Sequence, residues 1–223
     1  MTDYIPVLCC SNSKNSESFS CNSKIIKFVA SPNAVPNGST LYYRPDDQIP
    51  GSPTKTWRDL INEQNHKDLI PAFKLYSNRA YCNLYEKYRE SFYIFSAGWG
   101  IVRSTYKLPA YNITYSKQGE PWTKRTKSMQ WNDFNHLRDD ANGGKFSSDA
   151  KIVLFAAPDY IYRFYELTSM IRNTKIIIHK PKEFEKKTGY EYIHYTDKIR
   201  TNWFYKAANE FSIKGLTDPN FKK

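Results

Sequence analysis

Four short, almost uninterrupted apolar runs constrain this chain more than any other feature: Tyr4–Cys10, Ser91–Ala97, Ala150–Ala157 and Lys175–His179. A strand with one wet face alternates apolar and polar residues, whereas a strand covered on both faces does not. Helical patterns separate the runs. The strongest spans Leu69 to Glu90, where Leu69, Phe73, Tyr76, Ala80, Leu84 and Tyr88 recur at three- and four-residue spacing and Pro71 suits a first turn. Further helices are predicted over 56–65, 132–141, from Pro158 to about Arg172 and within 197–213, with another short strand over 25–30. This order predicts an α/β fold: a mostly parallel central sheet with helices on both faces. One domain spanning residues 1–223 suits this length. It carries a proline-rich loop insertion at about 31–56, with Pro32, Pro36, Pro45, Pro50 and Pro53.

Ligands of parallel sheets bind outside the carboxyl ends of the strands. The loops that begin at Ser11, Gly98, Pro158 and Lys180 are therefore expected to share one rim. The first, Cys10-Ser11-Asn12-Ser13-Lys14, offers hydroxyls, an amide and an ammonium to a phosphate or a base edge. It lacks the glycines of a phosphate-binding loop and also reads as an ordinary polar turn. In the second, Gly98 and Gly100 flank Trp99, which is either a stacking platform or a plug beneath the loop. In the third, Asp159 either caps the helix that follows or faces the rim as a carboxylate.

Lys and Arg number 33 against 22 Asp and Glu, a net charge of +11, which points to a polyanionic partner, nucleic acid first. The stretch 103–127 concentrates this charge. Arg103, Lys107, Lys117, Lys124, Arg125 and Lys127 are interleaved there with Tyr106, Tyr111, Tyr115 and Trp122. Cations for phosphates and rings for bases compose a nucleic-acid contact segment, the alternative being a solvated basic loop. Cys9, Cys10, Cys21 and Cys82 contain no C-x-x-C pair and the four histidines are scattered, so neither disulfides nor a metal site nor a cofactor is expected. No apolar run approaches the ~18 residues of a membrane helix. The opening Met1-Thr2-Asp3-Tyr4-Ile5-Pro6 lacks the basic segment of a leader, so a cytoplasmic location away from membranes is expected.

Two stretches carry a resemblance. Val7-Leu8-Cys9-Cys10-Ser11-Asn12-Ser13-Lys14 resembles the strand-then-Cys-Ser-x-x-Lys opening of a bacterial and phage family of small domains. Tyr93-Ile94-Phe95-Ser96-Ala97-Gly98-Trp99-Gly100-Ile101-Val102 is similar to that family's second motif, with Trp99 where Tyr is usual. Leu108-Pro109-Ala110-Tyr111-Asn112-Ile113-Thr114 resembles its Pro-Tyr-Asp segment, with Asn112 where Asp is frequent. The peroxide-stress protein YaaA and a domain of archaeosine synthase look like more distant relatives. The resemblance implies a fold related to uracil-DNA glycosylases and a ligand that is DNA or a modified nucleobase.

On that footing the expected activity is a DNA glycosylase acting on a modified, for instance glucosylated, base of phage DNA, flipped out of the duplex into a rim pocket. Catalysis would fall to Asn12, Asn112, Glu17 and Asp159. The substrate would meet Cys10, Ser11, Lys14, Gly98, Trp99 and Tyr111. Two alternatives stand beside it: a DNA-binding stress protein without catalysis, and an enzyme acting on a free nucleotide or nucleobase.

Overall fold

The computed structural model describes residues 3–15, 18–36, 40–180 and 184–222. Its strands, in chain order, are β1 (Tyr4–Cys9), β2 (Phe19–Cys21), β3 (Lys24–Val29), β4 (Leu41–Tyr43), β5 (Ile70–Pro71), β6 (Tyr93–Ser96), β7 (Gly100–Arg103), β8 (Lys107–Leu108), β9 (Tyr111–Asn112), β10 (Phe134–Asn135), β11 (Lys151–Phe155), β12 (Lys175–His179), β13 (Tyr190–Tyr195) and β14 (Phe221–Lys222). The helices are α1 (Trp57–Asn62), α2 (Ala72–Leu75), α3 (Arg79–Tyr88), α4 (His136–Asn142), α5 (Pro158–Thr168) and α6 (Trp203–Lys214).

Eight strands form one sheet in the order β10-β7-β6-β1-β11-β12-β13-β14. β6, β1, β11, β12 and β13 run parallel, β14 and β7 oppose their neighbours β13 and β6, and β10 runs with β7. The four apolar runs are the four adjacent strands β6-β1-β11-β12, the part of the sheet with helices above and below. Strand alternation sorts the two faces. Leu8 is level with Ile94 and Phe155, and the Phe155 ring meets Phe211 of α6 at 5.1 Å. Phe95, one residue on from Ile94 and so on the other face, meets Tyr160 and Phe164 of α5 at 5.4 and 6.3 Å. α3 packs beside α6. The protein is thus an α/β protein built on a mixed, mostly parallel eight-stranded sheet with helices on both faces.

Local sequence signals were overridden at three places. The Gly98 loop is no crossover: β6 turns through Ala97-Gly98-Trp99 into the antiparallel β7. Gly100 has φ +93°, and a Cβ there would lie 2.2 Å from the Phe134 carbonyl oxygen, so glycine is what lets β10 close against β7. The predicted 69–90 helix is broken between α2 and α3. Residues 13–15 pair with 75–77 instead, the Asn15 N–H donating to the Leu75 carbonyl at 2.8 Å and the Ser77 N–H to Ser13 at 3.3 Å. The Asn78 side chain then restarts the helix by accepting the Ala80 N–H at 2.9 Å. The 31–56 stretch is also not all loop. It contributes β4, which runs parallel to β3; β3 also pairs with β2 and β9 to make a second, small sheet.

Candidate functional site

The carboxyl end of β1 delivers Cys10, whose buried thiol lies 3.1 Å from the Tyr160 hydroxyl of α5 and accepts the Ala97 N–H at 3.4 Å. The first three predicted rim loops therefore meet around one sulfur. Cys10 is only 7% exposed and sits beneath the rim, outside the lining of the cavity beyond it. Ser11 closes the turn after it: its hydroxyl accepts the Ser13 N–H at 3.2 Å and its carbonyl accepts the Lys14 ammonium at 3.0 Å. Ser11 thus does the work of a polar turn.

Beyond this turn opens a cavity of about 600 Å³. Asn12 and Lys14 form one side. Ala110, Tyr111 and Asn112 form another, and β3 (Ile26, Lys27, Phe28, Val29), Tyr42 of β4 and Trp122 complete the wall. The structure brings Asn12 and Lys14 of the first rim loop together with Tyr111 and Asn112, which come from β9 of the small sheet and not from a rim loop of the main one. β3, β4 and Trp122 were missed as pocket walls. The Tyr42-Tyr43 pair inside a proline-rich stretch was the one available signal, because aromatic side chains there must cover something apolar. Backbone bonds from Ala30 and Ser31 to the Trp122 carbonyl, at 3.0 and 2.9 Å, tie the two walls together.

Behind the Tyr111 wall runs a buried chain of neutral hydroxyls. Tyr76 and Tyr111 share a hydrogen bond of 2.7 Å, Ser96 donates to the Tyr111 hydroxyl at 2.8 Å, and the backbone N–H of Trp99 donates to the Ser96 hydroxyl at 3.1 Å. Burial raises the Tyr76 and Tyr111 phenols well above their ordinary value, so they stay protonated. The break in the helix is what swings Tyr76 under Lys14. The Lys14 ammonium lies 4.3 Å from the centre of the Tyr111 ring. Burial lowers its pKa from 10.5 to about 8, against an opposing effect of the Cys10 thiol. Among the described residues no carboxylate lines this cavity.

Trp99 and Gly98 do not face it. Trp99 is fully buried between Phe28 and Phe134, its ring 5.2 and 6.4 Å from theirs, so the plug reading holds and the stacking reading is corrected. A Cβ on Gly98 would crowd the Ile113 and Tyr111 side chains at 3.0 and 3.2 Å, which makes this glycine a packing requirement and not a ligand approach. Arg58, paired with Asp46 at 2.5 Å, holds the turn by donating to the Trp99 and Gly98 carbonyls at 3.3 and 3.4 Å.

A second cavity, of about 520 Å³, opens beside α5. Lys117, Lys124, Lys127 and Lys187 line it with Tyr162, Tyr165 and Phe184. Asp159 lies here too and does not line the cavity of Asn12 and Asn112; the N-cap of α5 is Ala157, and Asp159 is the acidic residue of its first turn. Arg125 reaches this cavity's wall but is a correction to the predicted basic surface. Its guanidinium forks onto Asp133 at 2.8 Å, donates to the Ala97 carbonyl at 2.9 Å, and is 1% exposed. Arg103 is likewise engaged, its guanidinium bonding Asp140 at 2.5 and 2.9 Å. Lys107 lies elsewhere, in the β5–β8 pair. Glu17 lies outside the described residues. Among the described residues, no three His, Cys, Asp or Glu side chains gather as a metal site, and no helix is long and apolar enough to cross a membrane.

Comparison with protein-family models, curated proteins and solved structures finds no match to this chain.

Proposed function

We propose that this protein is a DNA glycosylase, related in fold to the uracil-DNA glycosylases, that hydrolyses the N-glycosidic bond of a modified base in phage DNA as part of anti-phage defence. The observation that carries this reading is the meeting of Asn12, Lys14, Tyr111 and Asn112, far apart in sequence, in one cavity at the carboxyl edge of the sheet. A flipped base needs a pocket with ring surfaces and a few polar groups for its edge. Tyr42, Tyr111 and Trp122 supply rings, and Asn12 and Asn112 supply amides. The volume leaves room for a base with a bulky substituent, and the insertion provides part of the wall through Tyr42. Water attacks C1′ as the base leaves; the two amides orient that water or read the base edge. Lys14 and the neighbouring lysines offset phosphate charge.

One observation favours the second reading, DNA binding without catalysis. No described residue lining the cavity is a carboxylate that would stabilise a cationic sugar, and Asp159 stands in the other cavity. Under the glycosylase reading the substrate's own phosphates supply that charge. Phage DNA with modified bases, incubated with the purified protein, is expected to release free base and acquire alkali-labile sites. Asn12→Ala and Asn112→Ala should each slow release about 100-fold with DNA affinity kept. Intact DNA that is still bound supports the binding protein. Salt-insensitive turnover of a free nucleotide supports the small-molecule enzyme.

A further inference from the structure

We infer that Lys14 is a covalent nucleophile of this cavity, which forms an imine with the C1′ aldehyde of an abasic deoxyribose and cuts the strand on the 3′ side of that sugar. The inference rests on the reading that DNA enters the cavity, and it adds a lyase activity to base removal.

Three features set Lys14 apart from other lysines of the protein. Lys55, Lys145, Lys151, Lys206 and Lys214 pair with carboxylates, whereas Lys14 meets none among the described residues. Its nitrogen is positioned, not free: the Ser11 carbonyl holds it at 3.0 Å and the Asn12 carbonyl at 3.5 Å, over the Tyr111 ring. It also lines the cavity that Asn12 and Asn112 share. Lys175 is also buried, but it bonds the Ile171 carbonyl at 2.6 Å and lines neither cavity. A lysine destined only to grip phosphate gains from staying charged. One desolvated among phenols and carbonyls holds a usable fraction of free amine near neutral pH, the state that attacks a carbonyl carbon. Among the described residues, the titratable groups around it are the Cys10 thiol, the Tyr76 and Tyr111 phenols and, in the same cavity wall, Lys27 and Tyr42.

The chemistry balances without a redox partner. The amine lone pair attacks C1′ of the open-chain sugar. The carbonyl oxygen leaves as water with one amine proton and one proton from solvent, giving an iminium. Loss of a C2′ proton to water moves that electron pair toward the iminium. The C3′–O bond then breaks and the phosphate oxygen departs with its electron pair. Water hydrolyses the imine, which frees an unsaturated aldehyde and restores the amine.

The test uses the full chain and an oligonucleotide carrying one preformed abasic site, with sodium borohydride to reduce the imine. The expected result is a covalent protein–DNA adduct whose peptide map places the DNA on Lys14, and strand cleavage when borohydride is omitted. The trapping rate should rise with pH and level off above about 8. Lys14→Arg and Lys14→Met should each lower trapping at least about tenfold. No adduct, or an adduct mapped to other lysines and undiminished in Lys14→Arg, overturns the inference. Base release from modified DNA without an adduct would leave the glycosylase reading intact and end this one. An adduct on Lys14 without base release would do the reverse.

Discussion

Arg125 lies 4.1 Å over the Trp131 ring while it forks onto Asp133, and both partners are 1% exposed. Asp133 also accepts Arg163 at 2.7 Å, so one buried carboxylate holds two guanidiniums between the 125–133 turn and α5. Removing one partner of such a pair leaves a charge in a poor solvent. Arg163 still compensates in part, so Arg125→Met is expected to cost about 3 kcal/mol, the low end for a broken buried pair. Urea unfolding measures the loss, and DNA affinity of the folded variant should be unchanged. Lys14 shows the opposite case. It stands in a motif that suggests phosphate binding, yet its surroundings depress its basicity. Both read in the sequence as cations of a basic surface; the fold decides that the guanidinium is locked in an internal ion pair and that the ammonium loses basicity.

At the scale of elements, the 103–127 segment divides into parts with different work. Arg103 ends β7 in an ion pair, Lys107 sits in a two-residue strand, Tyr111 and Asn112 form β9 beside the first cavity, and Lys117, Lys124 and Lys127 reach the second. Lys127 lies 4.7 Å over the Tyr162 ring, a stem-on-aromatic arrangement that leaves the charge available. Those three lysines form the expected track for a DNA backbone. Replacing all three with Gln should flatten the slope of log affinity against log salt by about 2 to 3. Fluorescence anisotropy over a salt series measures this, with thermal stability unaltered. Each lysine was legible in the sequence as basic; its separation from Arg103 and Arg125 was not. Charge periodicity carries no information about which carboxylate an arginine will find. The same holds for the broken helix, where apolar spacing was correct locally but strand-like pairing with residues 13–15 prevailed.

Across the whole molecule, acid stability follows from two groups that join β6, β7 and α4. Burial alone would raise the Asp140 carboxyl, but hydrogen bonds from Arg103, Tyr93 and Lys145 outweigh it and bring the pKa from 3.8 to about 2. Its stabilisation is complete above pH 4 and is lost as pH falls through about 2. His136 is held down from 6.5 to about 4, first by burial and then by the Arg103 charge, with Asp139 and Asp140 opposing. The unfolded chain therefore takes up that proton first. The His136 contribution should fall between pH 6.5 and about 4 and stay constant below, where the Asp140 loss takes over, and His136→Asn should remove the decline in the upper window. Chemical denaturation at stepped pH tests both. The net charge of +11 adds a general self-repulsion that His136→Asn leaves nearly intact.

The sequence by itself determined the central strands and the kind of sheet, because only strands covered on both faces need continuous apolar runs. It also placed Asn12 and Lys14 just beyond the carboxyl end of β1, while Tyr111 and Asn112 reach the same cavity from β9 of the small sheet. The tertiary structure alone decided that Trp99 is a plug, that Arg125 is an internal ion-pair partner, that Asp159 stands apart from the two asparagines, and that β3, β4 and Trp122 wall the cavity. Burial and partner choice are properties of distant contacts, and those contacts exist only after the two sheets and α5 have packed around Cys10.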